Sequence, residues 1–194
     1  MSDELSAALA AIDVANAGDP NPDRDADGRE VPEALLYGQR MSAELSRLFG
    51  DEVSDVLKIA ARGQHIERWK IPRAGYPEGR TGYLTWRRDQ GRAHAERLAG
   101  IMAAAGYDAD ACARVGVLLR KEGLKRDAEV QMLEDTICMV FLKHYFAAFA
   151  EKHPFPKVVD IVAKTARKLS EGGRNRVLME FDLPEDLANA VRTA

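Results

Sequence analysis

The sequence predicts an all-α protein, a compact helical bundle folded as one domain. Two observations carry that class. Between glycine and proline breaks, apolar residues recur at helical spacing in nearly every segment, and no stretch alternates with the weight of a strand. Residues 127–153 (DAEVQMLEDTICMVFLKHYFAAFAEKH) then run without a Gly or Pro, and from 136 to 150 they are apolar on almost every side. Such a helix is either a buried hub or a membrane span. Lys143 and His144 interrupt it well short of the roughly 20 residues a span requires, so the hub of a helical core is expected.

Length and composition agree with that class. At 194 residues, 46% hydrophobic and 30% charged, the chain suits one soluble domain. Cys112 and Cys138 both fall in apolar helical contexts, as buried reduced thiols do, and two cysteines make no disulfide framework. The first helix carries acids where a signal peptide is basic, so a cytoplasmic protein is expected, without membrane contact. The net charge of −3 hides an asymmetry: the first 55 residues are acidic, whereas 62–97 are rich in arginine. An anionic ligand would explain the change of sign, and so would the two segments packing on each other.

The elements follow in order. A first helix over 3–16 places Leu5, Ala8, Leu9 and Ile12 on one face. The segment GDPNPDRDADGREV reads as a solvated loop. Its Asp23, Asp25, Asp27 and Gly28 resemble the start of a calcium loop, but position twelve, where a bidentate Glu belongs, is Ala34. Pro32 opens a second helix reaching 49. A third spans 52–68, with Gln64 facing inward, until KIPRAGYPEGR breaks it. A fourth runs from 81 to 105 and stops at Gly106. Asp108 caps a fifth that ends at Gly123. Asp127 then stands at the start of the hub helix, where the helix dipole favours negative charge. A helix over 155–171 is stopped by Gly172 and Gly173; a short piece at 177–181 and a last helix after Pro184 close the chain.

Polar residues on apolar faces mark the candidate site. His65 falls on the inner face of the third helix and His94 on that of the fourth. Glu134 and Asp135 sit where the hub helix turns apolar, and a buried carboxylate requires a cation, a metal or strong donors. Two histidines and a carboxylate from separate helices are what bundle cores use for metal or catalytic centres; they also serve as packing networks. Gln64, Arg68, Lys70, Arg73, Arg87, Gln90 and Lys125 surround them as candidate ligand-binding groups, suited to a phosphate or carboxylate. Trp69 and Trp86 read as core or rim residues.

The stretches AIDVANAGDPNP, LLYGQRM, IAARGQHIERWKIPRAGYP, YLTWRRDQGRAHA, GYDADACARVGVLLRKEGLKRDAEVQMLEDTICMVFL and DIVAKTARKLSEGG resemble the family known as domain of unknown function 4202, over nearly the whole chain. More loosely, HAERLAGIMAAAGYDADACARVGVLLRKEGL resembles the core of HD-domain metal-dependent phosphohydrolases. That resemblance implies an HD-like core of about five helices over 52–153, with N-terminal helices and the acidic loop in 1–50 and further helices in 154–194. It puts His94 at the first His position and Asp135 at the last Asp position. The His-Asp pair itself falls on Arg120 and Lys121, which cannot ligate a divalent ion. Either Glu122 and His65 complete a shifted site with His94 and Asp135, or the Lys121 ammonium stands where the metal would. QHIERW and KLSEG only faintly echo glutamate–tRNA ligase motifs, and the parallel sheet these need is not in the pattern.

Two functions follow. One is hydrolysis of a phosphate ester or nucleotide by His94, Asp135, Lys121 and Glu122, with a divalent Mn, Fe, Co, Ni or Zn held by His65, His94, Glu122 and Asp135. The other is a non-catalytic descendant of the fold, needing no cofactor, that binds an anionic, phosphate-containing metabolite or RNA. A third reading gives the polar core a packing role only. The sequence fixes no oligomeric state.

Overall fold

The first N–H groups of a helix find no partner inside it, and at several helices here a serine or aspartate side chain supplies one. Ser2, Ser54, Asp108, Asp127 and Ser170 each accept from backbone amides one turn ahead. A computed structural model describes residues 2–194, and it is all-α but for one small hairpin. The chain divides into two compact units, the first ending at Glu122 and the second running Gly123–Ala194.

The first unit holds α1 (Asp3–Asn16), β1 (Pro22–Arg24), β2 (Glu30–Pro32), α2 (Glu33–Phe49), α3 (Asp55–Arg62), α4 (Gly79–Ala104) and α5 (Ala109–Arg120), with 3-10 turns at Arg68–Lys70 and Arg73–Gly75. The short α3 is its centre: Leu57, Ile59, Ala60 and Ala61 are fully buried, against α1, α2 and α5. Burying each large aliphatic side chain contributes about 1.5–3 kcal/mol. Two glycines set how closely the layers approach. A Cβ on Gly38 of α2 would lie 2.5 Å from the Arg62 carbonyl oxygen, and one on Gly63 would lie 2.5 Å from a Leu98 methyl of α4.

Several expected elements differ. The acidic loop contains an antiparallel hairpin pairing Pro22 with Pro32, Asp23 with Val31 and Arg24 with Glu30. Asp25 closes its turn by accepting from the amides of Asp27 and Arg29. Strands of three residues are too short to show alternation. Pro32 ends β2 and precedes the first turn of α2 rather than opening it. The third helix stops at Arg62, six residues early, because the chain turns at Gly63 and passes through a left-handed Glu67 (φ 49°). The change of charge along the chain is partly internal pairing: Arg62 grips Asp13 through Nε and Nη2, each at 2.6 Å.

The second unit holds α6 (Ala128–His144), α7 (Phe146–Glu151), α8 (Phe155–Ala166), α9 (Glu171–Glu180) and α10 (Glu185–Arg192), with α10 packed on α8 and α9. The expected continuous helix over 127–153 breaks at Tyr145 (φ −126°, ψ −18°). Phe146 and Phe149 fold back edge-on to Phe141, with ring centroids 6.0 and 5.8 Å away. Gly172 and Gly173 do not stop a helix; they form the first turn of α9 behind the Ser170 cap, and the piece at 177–181 is its end. Among the described residues no helix is long and apolar enough to cross a membrane.

Candidate functional site

In the first unit, α2, α4 and the turn between α3 and α4 enclose a cavity of about 380 Å³. Its walls are aromatic and charged: Tyr37, His65, Arg68, Trp69 and Trp86, with Asp19 and Glu33 at one side. Close approach at Gly38, next to Tyr37, brings α2 against the end of α3. Tyr37 stacks on His65 with ring centroids 3.9 Å apart and planes 14° apart, and His65 lies 6.4 Å, centroid to centroid, from His94.

Arg68 is the group most elaborately held. The preceding Glu67 takes a left-handed backbone that a residue with a Cβ seldom adopts. Its amide donates to the side-chain oxygen of buried Asn16 at 3.0 Å. The buried Gln90 of α4 donates from Nε2 to the carbonyls of Arg68 and Ile71, both at 2.9 Å, and Trp86 Nε1 donates to Ile71 as well. Three side chains from two helices thus clamp residues 67–71. The Arg68 guanidinium lies over the Trp86 ring, Cζ 4.6 Å from its centroid. Among the described residues it makes no hydrogen bond or ion pair. Burial lowers its pKa from the ordinary guanidinium value, with Tyr37 acting in the opposite sense. A stacked guanidinium keeps its N–H edge available for bidentate binding of a carboxylate or phosphate.

Both histidines are neutral at pH 7. Burial pushes His65 well below its ordinary value, helped by the charges of Arg68, Lys121 and Arg87. Burial brings His94 down to about 4, aided by Arg68 and opposed by a hydrogen bond to the Gln64 backbone. The Nε2 of His94 and the Oε1 atoms of Gln64 and Gln90 are buried without a hydrogen-bond partner among the described residues. Three such acceptors in one region are unusual, because buried polar atoms are nearly always paired.

The structure thus gathers His65, Arg68, Gln90 and His94, with Gln64 beside them and Arg87 and Lys121 close enough to act on His65 electrostatically. Arg73 lines the cavity, but its guanidinium is committed to the carbonyls of Tyr76 and Pro77. Lys70 is exposed and paired with Glu67 at 2.8 Å. Glu122 is exposed and paired with Arg120 at 2.6 Å. Lys121 is the left-handed C-cap of α5 (φ 59°).

Asp135 and Lys125 belong to the second unit. The Asp135 carboxylate is engaged there: Oδ1 accepts from Gln131 Nε2 at 2.9 Å and from the Ser170 amide at 2.8 Å, and Oδ2 accepts from Ser170 Oγ at 2.5 Å. Glu134, also buried, lies 3.5 Å from the Lys168 ammonium. Lys125 lines a second cavity of about 380 Å³ with Arg126, Gln131 and Arg174. Among the described residues no three His, Cys, Asp or Glu side chains are grouped so as to hold a metal ion.

Sequence reasoning placed Arg68, His65 and Gln90 at the site but passed over Asn16, Glu33 and Asp19, and it gave Tyr37 and Trp86 no role there. Asn16 ends the first helix in the sequence, but its partner Glu67 lies 51 positions on, so no local pattern marks the contact. Nothing in the pattern marks Glu33, whose place depends on how α2 packs.

Class and membership can now be stated. This is an all-α protein whose first unit carries a polar, aromatic-walled cavity around a clamped arginine. The chain matches the model of the family described as Domain of unknown function (DUF4202) over residues 6–191, and it belongs to that family. No curated protein and no solved structure matches it.

Proposed function

We propose that the first unit binds an anionic small metabolite, phosphate-bearing by preference, with the Arg68 guanidinium receiving the anion. One observation carries this: a half-buried cation with no ionic partner among the described residues is held at a cavity wall by buried Asn16, Gln90 and Trp86 across a strained Glu67. Strained backbone and buried amides spent on orienting an arginine are what a recognition site requires and what packing does not. A cavity of this size suits a metabolite, whereas RNA binding would rest on an exposed basic stripe.

Hydrolysis of a phosphate ester beside this cavity has one observation in its favour. His94 is neutral, with a buried Nε2 lacking a partner among the described residues, the state in which an imidazole accepts a proton. Binding is the better supported reading, because the carboxylate that HD-type chemistry would assign to the metal, Asp135, is engaged by Ser170 and Gln131.

Thermal-shift measurements with phosphate esters, nucleotides and carboxylates test the proposal. Stabilising anions should lose their effect in Arg68→Met and keep it in Lys70→Met, since Lys70 is exposed and ion-paired. Shifts that persist undiminished in Arg68→Met would refute it.

A further inference from the structure

The charges around the cavity do not all favour an anion. Glu33, at the start of α2, lines the same cavity as Arg68. Its amide is used, donating to the Asn21 carbonyl, but among the described residues its carboxylate makes no hydrogen bond or ion pair. The neighbouring acid is differently placed: Asp19 accepts from the Asn21 amide and side chain and from the Ala34 amide, so it is committed to holding the loop. Glu33 and Arg68 feel each other's charge, yet they form no salt bridge, which keeps every nitrogen–oxygen pair between them beyond 4.0 Å.

Opposite charges facing one cavity, an exposed carboxylate at Glu33 and a half-buried guanidinium at Arg68, make a site that a ligand carrying both signs can bridge. Carboxylate and guanidinium attract. Here the clamp on residues 67–71 and the Arg68–Trp86 stack hold the cation back. The gap is therefore built in. A lone anion would be drawn to Arg68 and repelled by Glu33. A compact molecule carrying an anion and an ammonium on neighbouring carbons would satisfy both, with its cation also near the faces of Tyr37 and Trp69.

We infer that the ligand of this cavity is a compact zwitterion, its anionic group on Arg68 and its ammonium on Glu33, so that Glu33 determines specificity. This rests on the anion-binding reading of Arg68 given above. The same chemistry occurs in amino-phosphate esters and in α-amino acids, and the test separates them.

The chain's two tryptophans, Trp69 and Trp86, both line the cavity, so intrinsic fluorescence reports occupancy. The protein and its Glu33→Gln variant are titrated with O-phosphoethanolamine, with L-alanine and, as the anion alone, with inorganic phosphate. The expected result is a crossover. Glu33→Gln weakens at least one zwitterion roughly tenfold or more, because a charge-assisted contact is lost. The same change tightens inorganic phosphate, because a repelling carboxylate is gone. Whether O-phosphoethanolamine or L-alanine shows the loss names the source. A Glu33→Gln change acting in the same sense on zwitterions and phosphate, or on neither, overturns the inference while leaving Arg68 as an anion site. No response of the unmodified protein to any of the three removes both.

Discussion

At the scale of single residues, the histidines make a prediction about acid. His94 takes up its proton at about pH 4 in the folded chain and near 6.5 when unfolded, and burial lowers His65 as well. Between those values the unfolded state binds more protons, so stability is full above about pH 6.5 and falls as pH drops towards 4. For His94 alone the loss is about 3 kcal/mol. Thermal melts from pH 7 to 4 should show it, and His94→Gln should flatten the slope. Asp135 predicts something different. Its carboxylate accepts three hydrogen bonds from Ser170 and Gln131, so Asp135→Asn should destabilise by about 1–3 kcal/mol in urea denaturation, since an amide in its place confronts donors with a donor. That carboxylate was legible in the sequence as a group needing partners. The partners were not, because Ser170 lies 35 positions away and looks like any residue before a glycine pair.

At the scale of elements, close approach explains what periodicity could not. Gly38→Ala would place a Cβ 2.5 Å from the Arg62 carbonyl oxygen, so α2 and the end of α3 must move apart. A loss of about 1–3 kcal/mol is expected. With it should go the Tyr37–His65 stack, visible as altered ligand response as well as a lower melting temperature. The opposite sign is expected at Lys125, an exposed left-handed residue (φ 70°). Lys125→Gly relieves that backbone and should stabilise by about 0.5–1 kcal/mol, read from the denaturation midpoint. Caps and apolar spacing made α1, α2, α4, α5 and the start of α6 readable. The remaining boundaries were hidden because packing decided them. Residues 63–67 continue a helical pattern, yet the chain turns there to meet α4. Residues 146–150 are apolar all round, yet they fold back on Phe141.

At the scale of the whole molecule, the chain is two compact units, and the proposed site lies entirely within the first. The fold class was written in the pattern; the division at Glu122 was not, because it falls in a short turn without the composition of a linker. The proposed function makes the clamped Arg68 an anion receptor. The most direct test is a crystal structure of the full chain grown with inorganic phosphate. Phosphate is expected within hydrogen-bonding distance of the Arg68 guanidinium, against Trp86. Phosphate bound instead beside Lys125, Arg126 and Arg174, with the Arg68 cavity holding none, would contradict it.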